Sequence, residues 1–77
     1  MEIQVESYSG YRGEETPRSI RMGSRRIRVE KILDRWLSPD HRYFKIRADD
    51  NGVYIIRHDS ESWKWEIVFF QQVEKFD

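Results

Sequence analysis

The 77-residue chain has no cysteine, which excludes a disulfide scaffold, a thiolate metal site and a cysteine nucleophile together. Leucine and alanine number only 3 between them, so the residues from which amphipathic helices are usually built are nearly missing. Net charge is missing too: 14 Lys and Arg balance 14 Asp and Glu, and the bulk charge therefore selects neither nucleic acid nor a membrane surface. No apolar run approaches the roughly 20 residues of a membrane-spanning helix. The opening MEIQVESYSG has neither the basic start nor the continuous apolar stretch of a secretory signal. The expectation is a cytoplasmic protein without membrane association. With so short a chain, about 60% of the unfolded surface is buried on folding, which suffices for one core and hence a single domain over residues 1–77.

What the chain does contain is strand-forming material: 13 Ile and Val, and 11 aromatic residues. Trp63, Trp65, Ile67 and Phe69 alternate with Lys64 and Glu66, a period of two that predicts a strand over 63–69 with those four on one face. Val53 to Arg57 reads as a covered central strand. It is joined to a strand over Tyr43 to Ala48 by Asp49-Asp50-Asn51-Gly52, whose Asn-Gly predicts a type I′ hairpin with positive φ at both residues. A second hairpin joins Arg18–Met22 to a long arm, Arg25–Leu37, around Gly23-Ser24, with Ile20, Met22, Ile27 and Val29 on a shared face. The alternation of that arm slips after Val29, which predicts a β-bulge or bend at Glu30–Ile32 that lets one strand serve two layers. Glu2–Tyr8 alternates weakly, as an edge strand would, and Ser9–Pro17 reads as an irregular loop. Phe69, Val73 and Phe76 are spaced for one helical turn, so residues 70–77 are expected to be a short helical turn or a frayed tail. The predicted fold is all-β: five or six antiparallel strands in a small barrel or roll of SH3-like size, with Ile20, Ile27, Val29, Ile46, Ile55, Trp65 and Ile67 in its core.

The catalytic inventory is thin. Two histidines and no nucleophile elbow argue against an enzyme, and no catalytic residue, metal ligand or cofactor is expected. Asp40-His41 and His58-Asp59 each put an imidazole beside a carboxylate, but both fall at strand ends where Asp is a turn former, and no third ligand completes a metal-binding spacing. Gly10-Tyr11-Arg12-Gly13 has the spacing of a backbone-clamping loop without the flanking helices, and Glu14 and Glu15 beside it repel phosphate. The distribution of charge says more than its sum. Residues 17–35 hold Arg18, Arg21, Arg25, Arg26, Arg28, Lys31 and Arg35 against Glu30 and Asp34, an excess of +5, whereas acidic residues gather after position 39.

Two functional readings follow. In the first, Tyr11, Arg12, Trp36, Tyr43 and Trp63 meet a protein partner, since Trp, Tyr and Arg are the usual anchors of interfaces. In the second, Arg18, Arg21, Arg25, Arg26, Arg28 and Arg35 form an outward face, beside exposed rings such as Trp36 or Tyr43, that holds single-stranded nucleic acid. A monomer or weak homodimer is expected.

The run Tyr8-Ser9-Gly10-Tyr11-Arg12-Gly13-Glu14-Glu15-Thr16-Pro17-Arg18, with Asp34-Arg35-Trp36, Pro39, Arg42-Tyr43-Phe44, Asp50, Gly52, Tyr54, Arg57-His58-Asp59 and Trp65-Glu66, resembles a family of small bacterial and archaeal proteins of unassigned function. A related module is similar to the C-terminal segment of some Y-family-polymerase-like mutagenesis proteins of bacteria. The resemblance covers most of the chain, from Val5 to Phe69, and implies a free-standing copy of a domain that binds a protein or DNA in translesion synthesis. The chain carries no polymerase portion.

Overall fold

A computed structural model describes residues 2–9 and 15–72. They form six strands: β1 (Glu2–Ser9), β2 (Glu15–Met22), β3 (Arg25–Leu37), β4 (His41–Ala48), β5 (Gly52–Asp59) and β6 (Trp65–Gln72). Each strand pairs antiparallel with the next in sequence, and β6 returns to β1 to close a barrel. No helix occurs among the described residues. None is therefore long and apolar enough to cross a membrane.

Strand β3 is the hinge of this architecture. Its first part, Arg25–Arg28, pairs with Ser19–Met22 of β2, and its second part, Val29–Leu37, pairs with Arg42–Ala48 of β4. Register shifts between Val29 and Lys31 and between Ile32 and Asp34 leave Glu30 and Leu33 as extra residues. Such bulges sharpen the local bend, as the broken alternation predicts, and turn one strand from one sheet into the other. A further shift between Glu6 and Ser7 of β1 lies opposite Pro17, which has no N–H to give to the ladder.

The core gathers Ile3, Ile20, Ile27, Phe44, Ile46, Ala48, Tyr54, Ile56 and Trp65. Three of the predicted core residues lie elsewhere. Ile55 points to the outer face of β5, because Tyr54 and Ile56 take the inward positions, and Val29 and Ile67 flank the core half-buried. The strand predicted over 63–69 begins only at Trp65 and continues to Gln72, so Phe70–Gln72 is extended where a short helical turn or a frayed tail was expected, and residues 73–77 fall outside the described part. Val68 is an extra residue between the pairs Ile56–Ile67 and Ile55–Phe69. That bulge breaks the single face predicted for Trp65, Ile67 and Phe69: Trp65 is buried and Phe69 is exposed. Strand β2 also starts at Glu15, three residues before the predicted Arg18, because Glu15, Thr16 and Pro17 pair with Ser9, Tyr8 and Ser7.

The β4–β5 hairpin departs from the predicted type I′ turn. Asn51 sits at φ 64°, but Gly52 does not take positive φ and begins β5. Glycine is needed there because of space: a Cβ on Gly52 would stand 2.8 Å from Phe70 Cε1 and 2.9 Å from both Asp50 Oδ1 and Tyr54 Cε1. Asp50 organises the turn. Its Oδ1 accepts from the Gly52 N–H at 2.8 Å, and its Oδ2 accepts from the Tyr54 hydroxyl at 2.6 Å and from Arg25 Nη2 at 3.0 Å. Burial of the phenol, aided by that bond to the carboxylate, pushes the Tyr54 pKa well above its ordinary value. In the β2–β3 turn, Gly23 does use the left-handed region, at φ 60°.

Candidate interaction surface

The β3–β4 and β5–β6 connections meet at one end of the barrel, where the Ser60 N–H donates to the Asp40 carbonyl at 3.2 Å. Aromatic residues on both faces of the sheet converge on this end. On the outer face, antiparallel register puts Trp36 directly opposite Tyr43, and their rings stack with centroids 5.3 Å apart and planes within 5°. His41 stands two residues from Tyr43 on the same face, at 6.0 Å. The row continues from Tyr43 to Arg57 on β5 and Glu66 on β6. The Arg57 pKa is raised first by its hydrogen bond to Tyr43, then by that to Glu66, whose Oε1 accepts from Nη2 at 3.1 Å.

On the inner face a second stack plugs the barrel. Trp63 lies 5.1 Å from His58, His58 lies 4.4 Å from Trp65 with planes 16° apart, and Trp65 lies 5.8 Å from Phe44. His58 is buried between the two tryptophans. Trp63 caps this column from the β5–β6 loop, yet remains 66% exposed. Its backbone sits at φ 60°, a conformation that costs a bulky side chain roughly 1–3 kcal/mol. The loop is pinned by Asp59, whose Oδ1 accepts the N–H groups of Glu61 at 2.8 Å and Ser62 at 3.0 Å. These backbone donors, Ser62 first and Glu61 next, hold the Asp59 pKa below its usual value.

Leu37, at the end of β3, is 75% exposed beside this surface, and Trp36 is 39% exposed. Leu37 is not marked in the sequence, because an apolar residue at the end of a long strand carries no signal separating a covered from an uncovered position. Trp36, Tyr43 and Trp63 from the candidate protein-binding set thus share one end of the barrel. Tyr11 and Arg12, with the Gly10–Gly13 loop, lie outside the described residues.

The two histidines occupy opposite faces of the sheet, since His41 pairs with Asp59 and the adjacent Arg42 pairs with His58. The two imidazoles therefore do not converge, although the dipeptides lie side by side and His41 Nε2 reaches Asp59 Oδ2 at 3.5 Å. Among the described residues no group of three or more metal-ligating side chains forms.

The Arg-rich segment is arranged as expected in one respect and differently in another. Arg21 lies directly opposite Arg26, and both are exposed with Arg28 on the outer face of the β2–β3 hairpin. Arg26 Nη2, however, contacts Glu6 Oε2 at 2.9 Å, and Arg25 is bound to Asp50. The exposed rings expected beside this face are not there: Trp36 is eight residues beyond Arg28 along β3, about 25 Å of extended strand. Arg35 sits at the far end with Trp36, opposite Phe44, so the six arginines do not form one continuous face. Where β3 leaves β2, a groove of about 470 Å³ opens between Thr16–Arg18 and Arg28–Ile32, with Asp49 at its margin. Compared with known proteins, the chain matches no family model, and no curated protein or solved structure is significantly similar to it.

Proposed function

We propose that this chain is a binding module, not an enzyme, and that it engages a protein partner through Trp36, Tyr43, Trp63 and Leu37 at the end of the barrel. The observation that carries this reading is the coplanar Trp36–Tyr43 stack, which lies on the outer face of the sheet rather than inside it, with Trp36 exposed and Tyr43 half-buried beneath it. Rigid aromatic side chains bury large areas at small entropic cost, which is why they anchor interfaces. Trp63 supports it independently: although one side of its ring caps His58, the side chain is two-thirds exposed and held in an unfavourable backbone conformation. The resemblance to a module of translesion-synthesis proteins fits a partner in that machinery.

The test is quantitative affinity capture on nuclease-treated extract, comparing wild type with Trp36→Ala and Trp63→Gly. Trp63→Gly relieves the positive φ while removing the ring, so the fold is expected to survive within about 1 kcal/mol. Proteins enriched by wild type and lost with both variants are the expected result. Recovery of the same proteins by all three chains defeats the reading.

A second reading, single-stranded nucleic-acid binding, is favoured by exposed Arg21 and Arg28 on one hairpin face. Because Arg25 and Arg26 are engaged by carboxylates, the expected salt dependence is shallow. Two or three phosphates contacted give a slope of log affinity against log salt of roughly −1.4 to −2. Fluorescence anisotropy of a labelled oligonucleotide reads it, and no binding at low salt removes it.

A further inference from the structure

The barrel is closed by very little. Among the described residues, strand β1 pairs with β6 only through Glu2–Glu66 and Ile3–Trp65, whereas β5 pairs with β6 along its length. From Ile67 to Gln72, β6 therefore has a neighbour on one side alone among the described residues, and no described strand takes the N–H and C=O groups of its other edge. Exposed sheet edges are ordinarily blunted by Lys, Pro or inward-pointing charge. The segment Ile67-Val68-Phe69-Phe70-Gln71-Gln72 has no charge, no Pro and no Gly. Its one irregularity is the extra residue at Val68, after which Phe69–Gln72 is in regular register with Gly52–Ile55. Val68, Phe69 and Phe70 are 44%, 44% and 49% exposed, and they cover both faces of the edge: Phe69 lies outward opposite Ile55, while Phe70 packs on Tyr54 at 4.7 Å.

We propose that this edge pairs with the same edge of a second copy of the chain, antiparallel about a two-fold axis, to give a weak homodimer with one sheet running through both barrels. The chemistry selects the occupant. A neutral edge offers a charged strand no counter-charge and would desolvate it, whereas a second copy sets neutral apolar residues against their equivalents. The zero net charge of the chain removes long-range repulsion between copies. Area sets the strength. Two half-exposed Phe and one Val offer about 250 Å² per copy, and roughly 500–800 Å² in total with the backbone edges, short of the about 1,200 Å² at which stable specific interfaces begin. A contact of that size fits a weak, reversible monomer–dimer equilibrium.

Sedimentation velocity of the full chain over a concentration series tests the proposal, with amide hydrogen exchange of Ile67–Gln72 measured at both ends of the series. The expected result is a rise in mass towards a dimer, with protection of those amides that grows with concentration. Phe69→Lys and Phe69→Glu, on the outer face and thus compatible with the fold, should each shift the midpoint at least tenfold towards monomer. Their equimolar mixture should recover the dimer by opposite-charge pairing across the axis. A monomer throughout, a dimer indifferent to both variants, or protection that is high and independent of concentration, as when the chain's own ends cover the edge, each overturns it.

Discussion

At residue 52 the requirement for glycine comes from neighbours rather than from backbone angles. Phe70, Tyr54 and Asp50 all approach within 3 Å of where a Cβ would stand, and although Phe70 is half-exposed, the other two cannot retreat cheaply, since Tyr54 is buried and Asp50 holds three hydrogen bonds. Gly52→Ala is expected to destabilise the fold by about 1–3 kcal/mol, measured by urea denaturation. Asn51→Gly, at a position of positive φ, should by contrast be within about 0.5 kcal/mol of wild type, because glycine takes that region without strain. Asp50, Gly52 and Tyr54 thus act on architecture. The binding surface proposed above depends on Trp36, Tyr43 and Trp63.

The β5–β6 connection shows the same economy at the level of an element. One carboxylate, Asp59, satisfies the backbone of two following residues and meets His41 from the neighbouring strand. Its pKa is depressed in the folded chain, so its contribution to stability is complete above the ordinary carboxylate value, about 3.9, and is lost as pH falls through the depressed value. Acidification from pH 5 towards about pH 2 should therefore loosen this loop and shift the fluorescence of Trp63, and Asp59→Ala should show the acid-like signal already at neutral pH. An unchanged emission in that variant would dissociate Asp59 from the placement of the ring. Long strand β3 could be read from its lost alternation, because Lys31 falls where an apolar residue is due. The second bulge, at Leu33, could not, since Ile32-Leu33 is equally compatible with either register.

For the molecule as a whole, closure depends on Ile3, buried across from Trp65 and, among the described residues, one of two in β1 paired with β6. Ile3→Ala is expected to cost about 2–4 kcal/mol and to unfold the barrel cooperatively, read by circular dichroism melting. A loss confined to β1, with the other strands still protected from exchange, would show that closure is dispensable. The pairing of β1 with β6 joins the first and last of the described strands. Folding is accordingly expected in milliseconds to seconds, as for other small all-β barrels, in stopped-flow fluorescence of Trp65.

Strand content, hairpin order and the bend in β3 were set by local chemistry: the shortage of Leu and Ala, the wealth of Ile, Val and aromatics, period-two alternation, and Gly23 and Asn51 at their turns. Such signals act between neighbours in sequence, so they are legible there. Which face of β5 is buried, the switch of Phe69 to the outer surface at Val68, the separation of the Arg hairpin from the aromatic rings and the narrow seam between β1 and β6 were decided only in three dimensions. Each depends on register between strands distant in sequence, and a shift of one residue exchanges the inside of a strand for its outside. Strand Gly52–Asp59 is apolar on both faces over most of its length, and its own pattern favours neither register. The core made the choice by taking Tyr54 and Ile56 and leaving Ile55 outside.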